Sequence, residues 1–128
     1  MPMKTKNALF TAITIFLLTA GMGCKEKENI ICTCGVPDPL VNLTWLKEIK
    51  TNLENDPNII SSEIIMYSLE GQDYILVESH IDSAQDIPST IYDCKGNEKY
   101  KCGGNQLYDN CSIFFSKAQK KNLLWEKN

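Results

Sequence analysis

Glu63-Ile64-Ile65-Met66-Tyr67-Ser68-Leu69 and Asp73-Tyr74-Ile75-Leu76-Val77-Glu78 are two runs rich in β-branched and aromatic side chains, separated by Glu70-Gly71-Gln72. Such side chains fit the pleated surface of a strand, and Gly71 supplies the positive φ that a tight reversal needs. The segment predicts a β-hairpin. A second hairpin is signalled downstream by Thr90-Ile91-Tyr92-Asp93-Cys94, a Lys95-Gly96-Asn97 turn, and Glu98-Lys99-Tyr100-Lys101-Cys102. The polar stretch from His80 to Pro88 between them predicts a loop.

Upstream of the hairpins, Leu43 to Glu54 places Trp45, Leu46, Ile49 and Leu53 on one stripe at helical spacing. Asn42 is the N-cap candidate, and Asn55-Asp56-Pro57 is the stop signal. At the other end, Cys111 to Lys120, preceded by Asn110 as a cap candidate, predicts a short helix. Asn122-Leu123-Leu124-Trp125-Glu126 then predicts a closing edge strand. These elements predict an α+β fold: an N-terminal amphipathic helix on a four- to five-stranded antiparallel sheet with a short C-terminal helix, over residues 41–128. A body of that size buries about 60 to 65% of its unfolded surface. That is marginal without covalent staples, which gives the cysteines a reason.

The amino terminus has its own grammar. Lys4 and Lys6 precede an apolar run from Ala8 to Ala20, which ends in Gly21-Met22-Gly23-Cys24. Residues 1–23 read as a secretion signal, since as a helix the run rises about 20 Å against a hydrocarbon core of about 30 Å. Small residues before a cysteine resemble the lipobox of bacterial lipoproteins, with Gly21 where that motif usually carries Leu. The resemblance implies that Cys24 becomes the first residue and carries palmitate-type acyl chains. More than one chain on one residue gives stable attachment to membrane lipid. Residues 24–40, with Lys25-Glu26-Lys27-Glu28 and Val36-Pro37-Asp38-Pro39, read as the lipidated cysteine and a flexible tether. Lys25 after the cysteine resembles lipoproteins sorted to the outer membrane, periplasmic or surface-exposed.

Charge narrows the partners. The chain has 13 lysines and no arginine against 16 acids, a net charge of −3. This mildly acidic balance argues against nucleic acid, and the lack of guanidinium removes bidentate phosphate recognition. Lys117, Lys120, Lys121 and Lys127 form a small basic tail that suits lipid headgroups or a solvated face.

With Cys24 acylated, an exported chain keeps Cys32, Cys34, Cys94, Cys102 and Cys111 for disulfides, an odd number that implies a free or intermolecular thiol. A two-residue turn at Gly96-Asn97 sets Cys94 opposite Lys99 and Ile91 opposite Cys102, which disfavours a Cys94–Cys102 bond. Cys102–Cys111 is the first choice, and either Cys32 or Cys34 then clips the tether to Cys94. A zinc site drawn from Cys32, Cys34, Cys94, Cys102 and His80 lacks the paired CxxC spacing of structural sites, so no metal and no cofactor is expected.

No catalytic constellation emerges. Ser79-His80-Ile81-Asp82 holds the residue types of a hydrolytic triad, but neighbours in a chain point apart and triads assemble from distant segments. Glu78, Asp82 and Asp86 read as loop solvation, and Gly103-Gly104 as a flexible turn rather than a phosphate loop.

The order of leader, lipidated cysteine, Trp45-Leu46-Lys47-Glu48-Ile49, the Gly71 hairpin, Tyr92-Asp93-Cys94-Lys95-Gly96-Asn97, Cys102-Gly103-Gly104 and Cys111 resembles small uncharacterised lipoproteins of Bacteroidetes-type bacteria. That resemblance implies an architecture and an envelope location without catalytic residues. The expected function is a non-enzymatic, lipid-anchored cell-envelope protein, a binding or inhibitor-like module for a protein or glycan. The alternative is a structural or assembly subunit of an envelope complex, recognisable by a long apolar sheet edge or a cysteine-linked dimer. A binding module is recognisable instead by an aromatic patch drawn from Tyr74, Tyr92, Tyr100 and Tyr108.

Overall fold

The computed structural model describes residues 31–82, 87–103 and 111–128. The leader at 1–23, Cys24, Asn110 and Tyr108 lie outside the described residues.

The first hairpin is the centre of the fold. Strand β3 (Ile59–Leu69) pairs antiparallel with β4 (Gln72–Ile81), and Leu69 faces Gln72 across a turn made by Glu70 and Gly71. Both turn residues have positive φ, 51° and 77°, the requirement of a type I′ reversal that matches strand twist. The pairing carries β4 through His80 and Ile81, the start of the His80–Pro88 stretch whose polarity predicts a loop, so that Ser79 and His80 face Ser62 and Ser61. The backbone of β3 offers a partner there, and pairing outweighs the polarity of the side chains.

Strand β5 (Ser89–Tyr92) extends the sheet beside β4, and β6 (Glu98–Cys102) follows beside β5. Helix α3 (Cys111–Lys117) leads into β7 (Gln119–Lys127), which pairs with β3 to close a five-stranded antiparallel sheet of order β6-β5-β4-β3-β7. The chain thus passes from one sheet edge to the other. The helix expected to reach Lys120 ends at Lys117, because Gln119 and Lys120 pair with Ser68 and Tyr67 of β3.

Both faces of the central strands are covered, which explains the unbroken triplets Ile64-Ile65-Met66 and Ile75-Leu76-Val77. Successive side chains alternate between faces. Ile64, Ile75 and Val77 pack against Leu46 and Leu53 of helix α2 (Thr44–Asn55), whereas Ile65, Leu76 and Ile91 pack against Cys111 and Phe114 of α3. Lys127 ties the end of β7 to the end of α2, donating from Nζ to the carbonyls of Leu53 at 3.0 Å and Asp56 at 3.0 Å. A cation on the open carbonyls of a helix C-terminus is favourable both as a cap and for the helix dipole.

The folded body reaches back beyond residue 41. Strands β1 (Cys32–Thr33) and β2 (Val36–Pro37) form a small hairpin, and Pro39 opens the short helix α1 (Pro39–Asn42). Thr33 is fully buried, with its hydroxyl 3.0 Å from Met66 Sδ of β3. Proline suits the first turn of a helix, so the stretch read as a tether starts one instead. Asn42 does not cap α2: Leu43 holds the N-cap position with no side-chain bond, and the Asn42 amide donates to the Pro37 carbonyl.

Candidate functional site

Three reversals meet at one end of the sheet. They are the Cys34–Gly35 turn of β1–β2, the Glu70–Gly71 turn of β3–β4, and the Asp93–Asn97 turn of β5–β6. Between them lies an open cleft of about 580 Å³, with Asp73, Tyr74, Cys94, Lys95 and Lys99 among its walls.

The β5–β6 turn is built around a carboxylate. Asp93 Oδ1 accepts from the backbone N–H of Lys95 at 2.9 Å and of Asn97 at 2.9 Å, and Asp93 Oδ2 accepts from Asn97 Nδ2 at 3.2 Å. These bonds, the Asn97 backbone first, outweigh partial burial and hold the Asp93 carboxyl below its usual pKa, with Lys99 Nζ 3.7 Å away adding to the effect. The carboxylate widens the turn beyond two residues, and one bulge shifts the register between Ile91 and Tyr92. Cys102 therefore faces Ser89, and Ile91 faces Tyr100, correcting the register expected from a Gly96-Asn97 turn.

The turn rests on Trp45. The indole Nε1 donates to the Cys94 carbonyl at 3.2 Å, and the ring lies 5.5 Å from Tyr92, centroid to centroid. Gly96 passes directly over the indole, with φ +83°.

The β1–β2 turn is fixed twice. Cys34 forms a disulfide with Cys94, with their Cα atoms 5.4 Å apart, and its backbone N–H donates to Asp73 Oδ2 at 2.7 Å. Cys34 itself holds a left-handed φ of 57°. Asp73, at the start of β4, thereby joins the first turn to the second. Neither residue spacing nor polarity marked Asp73 as a site residue; its role arises only when β1–β2 folds back onto the hairpin.

A second disulfide, Cys102–Cys111, joins β6 to α3 with Cα atoms 5.5 Å apart. Of the two cysteines offered for the clip to Cys94, the geometry selects Cys34. Cys32 is disulfide-bonded as well, and no described cysteine is a free thiol, so the odd thiol has no counterpart among the described residues. The sulfurs that a zinc site would draw on are thus engaged, and among the described residues no group of three or more His, Cys, Asp or Glu side chains is placed to hold a metal ion.

The triad residue types are not assembled. Ser79 Oγ lies 2.9 Å from Ser62 Oγ across the strand pair, and exposed His80 alternates to the opposite face of β4. The aromatic residues divide. Tyr92 packs on the α2 side, whereas Tyr67, Tyr74 and Tyr100 surround Phe114 at centroid distances of 5.5 to 5.8 Å. Tyr74 alone of these also lines the cleft.

Residues 47–127 match a family described as a domain of unknown function, DUF6970, and the chain belongs to that family. The match spans most of α2, the whole five-stranded sheet and α3, and it begins after Trp45 and Cys34. No curated protein and no solved structure matches the chain. Among the described residues no helix is long and apolar enough to cross a membrane.

Proposed function

We propose that the protein is a non-enzymatic, lipid-anchored module of the cell envelope that binds its partner in the cleft between the three turns, as a binding or inhibitor-like domain does. The leader pattern and Cys24 supply the anchor in this reading, with outer-membrane sorting implied by Lys25. One observation carries it: all three turns are locked in place around a single polar cleft. Asp73 and the Cys34–Cys94 bond hold the first turn to the other two, and Trp45 supports the third from below. A surface fixed before its partner arrives loses little conformational freedom on binding.

The cleft acids favour binding over turnover. Asp93 and Asp73 both accept backbone hydrogen bonds, and Asp93 is held ionised rather than poised to exchange a proton near neutrality. The sheet edges weigh against assembly by strand addition. Strand β6 carries Glu98, Lys99 and Lys101, and β7 carries Lys120, Lys121 and Lys127 with two register shifts against β3. Charges and bulges on an edge discourage pairing with another chain.

Amide hydrogen exchange tests this reading, comparing the purified protein with the same protein in native envelope membranes. Slower exchange of the three turns in the membranes is the expected result. Protection confined to β6 or β7 would replace the binding module with the assembly subunit, and protection at neither would overturn both readings.

A further inference from the structure

We propose that the corner where α3 turns into β7 is a second contact surface, one that lies on anionic membrane lipid. The inference rests on the anchored reading above but not on what the cleft binds, since no residue of this corner lines the cleft.

Charge sets the corner apart. Residues 111–125 carry Lys117, Lys120 and Lys121 and no acid, within a chain of net charge −3. All three lysines are exposed, and among the described residues none is paired with a carboxylate. Lys127 does not belong with them, because its ammonium caps α2. The next carboxylates along the paired strands are Glu70, in the turn after Leu69, and Glu126, opposite Glu63 near the far end of β7. Segregation of this kind gives an acidic protein a local positive field, and each lysine near an anionic bilayer favours the docked state about fivefold.

Apolar side chains stand beside the lysines. Across the β3–β7 pair Lys120 faces Tyr67 and Leu123 faces Ile65, so both lie on the face of the sheet that carries α3. Phe115 of α3 meets the same Tyr67 edge to face at 5.5 Å. Phe115 is 39% exposed and Leu123 42%, whereas Phe114 is buried. Lysine beside exposed phenylalanine and leucine suits a bilayer interface, where ammonium groups stay at the phosphates and apolar groups reach the acyl boundary.

The tether selects lipid as the occupant. Thr33 sits on Met66, and Met66 faces Asn122 of β7, so the chain enters the folded body beside this strand. Thr33 is nine residues on from Cys24, a span of at most about 32 Å. With Cys24 held in the bilayer, contact between β7 and lipid is an intramolecular event, and individually weak contacts become populated.

The test uses the full protein extracted from the envelope and reconstituted into vesicles that hold no other protein, of phosphatidylcholine alone or mixed with phosphatidylglycerol. Flotation reads the anchor, and amide hydrogen exchange reads the surface. Flotation with both vesicle types is expected, with slower exchange over residues 112–123 only where phosphatidylglycerol is present. High sodium chloride should remove that difference, and so should the combined change Lys117→Gln, Lys120→Gln and Lys121→Gln, which lowers the docked population about a hundredfold. Disulfide mapping of the variant verifies its fold. Flotation with the same exchange in both lipids would overturn the surface and leave the anchor standing. Flotation with phosphatidylglycerol vesicles alone would support the surface and overturn the anchor. Protection of this segment in native membranes but not in anionic vesicles would replace lipid with a macromolecular partner, and no flotation with either vesicle would overturn both readings.

Discussion

Trp45 and Gly96 approach so closely that a single carbon does not fit between them: a Cβ on Gly96 would lie 2.7 Å from Trp45 Cγ and 2.8 Å from Cδ2. The helix that covers one face of the sheet and the turn that borders the cleft therefore meet at this contact, beside the hydrogen bond from Trp45 Nε1 to the Cys94 carbonyl.

This contact predicts that Gly96→Ala destabilises the fold by about 2 to 4 kcal/mol, combining a left-handed backbone penalty with overpacking. In a Trp45→Ala background the two closest contacts are gone and only the Cβ of residue 45 remains, 3.2 Å away, so the same change should cost less, about 1 to 2 kcal/mol. Urea unfolding of the four members of this cycle measures both values. Equal penalties in the two backgrounds would mean that the indole does not set the identity of residue 96.

The two named disulfides should differ in worth. Cys34–Cys94 closes a sequence separation of 60 residues and Cys102–Cys111 one of 9. On the chain-entropy relation, removing the first as a double alanine variant costs about 4 kcal/mol, and removing the second about 2.5 kcal/mol. The midpoints of denaturant unfolding should follow that order.

The turn around Asp93 should be sensitive to acid. An unfolded aspartate titrates near about 3.9, and the folded Asp93 lies below its ordinary value because of its hydrogen bonds to Asn97 and Lys95. A depressed folded pKa gives stability that is present above the unfolded value and is lost as the pH falls through the folded one. Wild type should therefore exceed Asp93→Asn in stability near neutrality, with the gap closing from about pH 4 downward. A gap that is constant with pH would assign the turn to the amides alone.

Glu63 faces Glu78 on β4 and Glu126 on β7, so three carboxylates stand side by side across the sheet. Like charges directly opposite one another are unfavourable, and Glu63→Thr should stabilise the fold by about 0.5 kcal/mol at low salt. Thermal midpoints across a sodium chloride series check this, with the gain shrinking as screening increases.

How much of this was legible in the sequence depends on the range of the interaction. The Gly71 hairpin and the stripe containing Leu46 and Leu53 are local patterns, and they appear where periodicity places them. Asn42 and the 31–40 segment misled because Pro37 and Pro39 read as breakers, whereas Pro39 starts a helix and Thr33 finds a buried seat beside Met66. The register of β5–β6 depended on one carboxylate gathering amides within its own turn, a choice that glycine spacing does not reveal. Of the cleft, Tyr74, Cys34 and Cys94 were visible as candidates. Asp73 was not, because its partner is a backbone amide 39 residues away in the chain.

Intact mass of the protein extracted from the envelope, before and after reduction and alkylation and with tryptic mapping of cysteine pairs, tests most directly the claim of a tethered, stapled domain. The account predicts a chain beginning at an acylated Cys24, with Cys34 linked to Cys94, Cys102 linked to Cys111 and, since the chain then has no further cysteine to offer, Cys32 linked to a separate molecule. An unacylated chain that keeps its leader, or a map in which Cys24 is joined to Cys32 or Cys94 to Cys102, would contradict it.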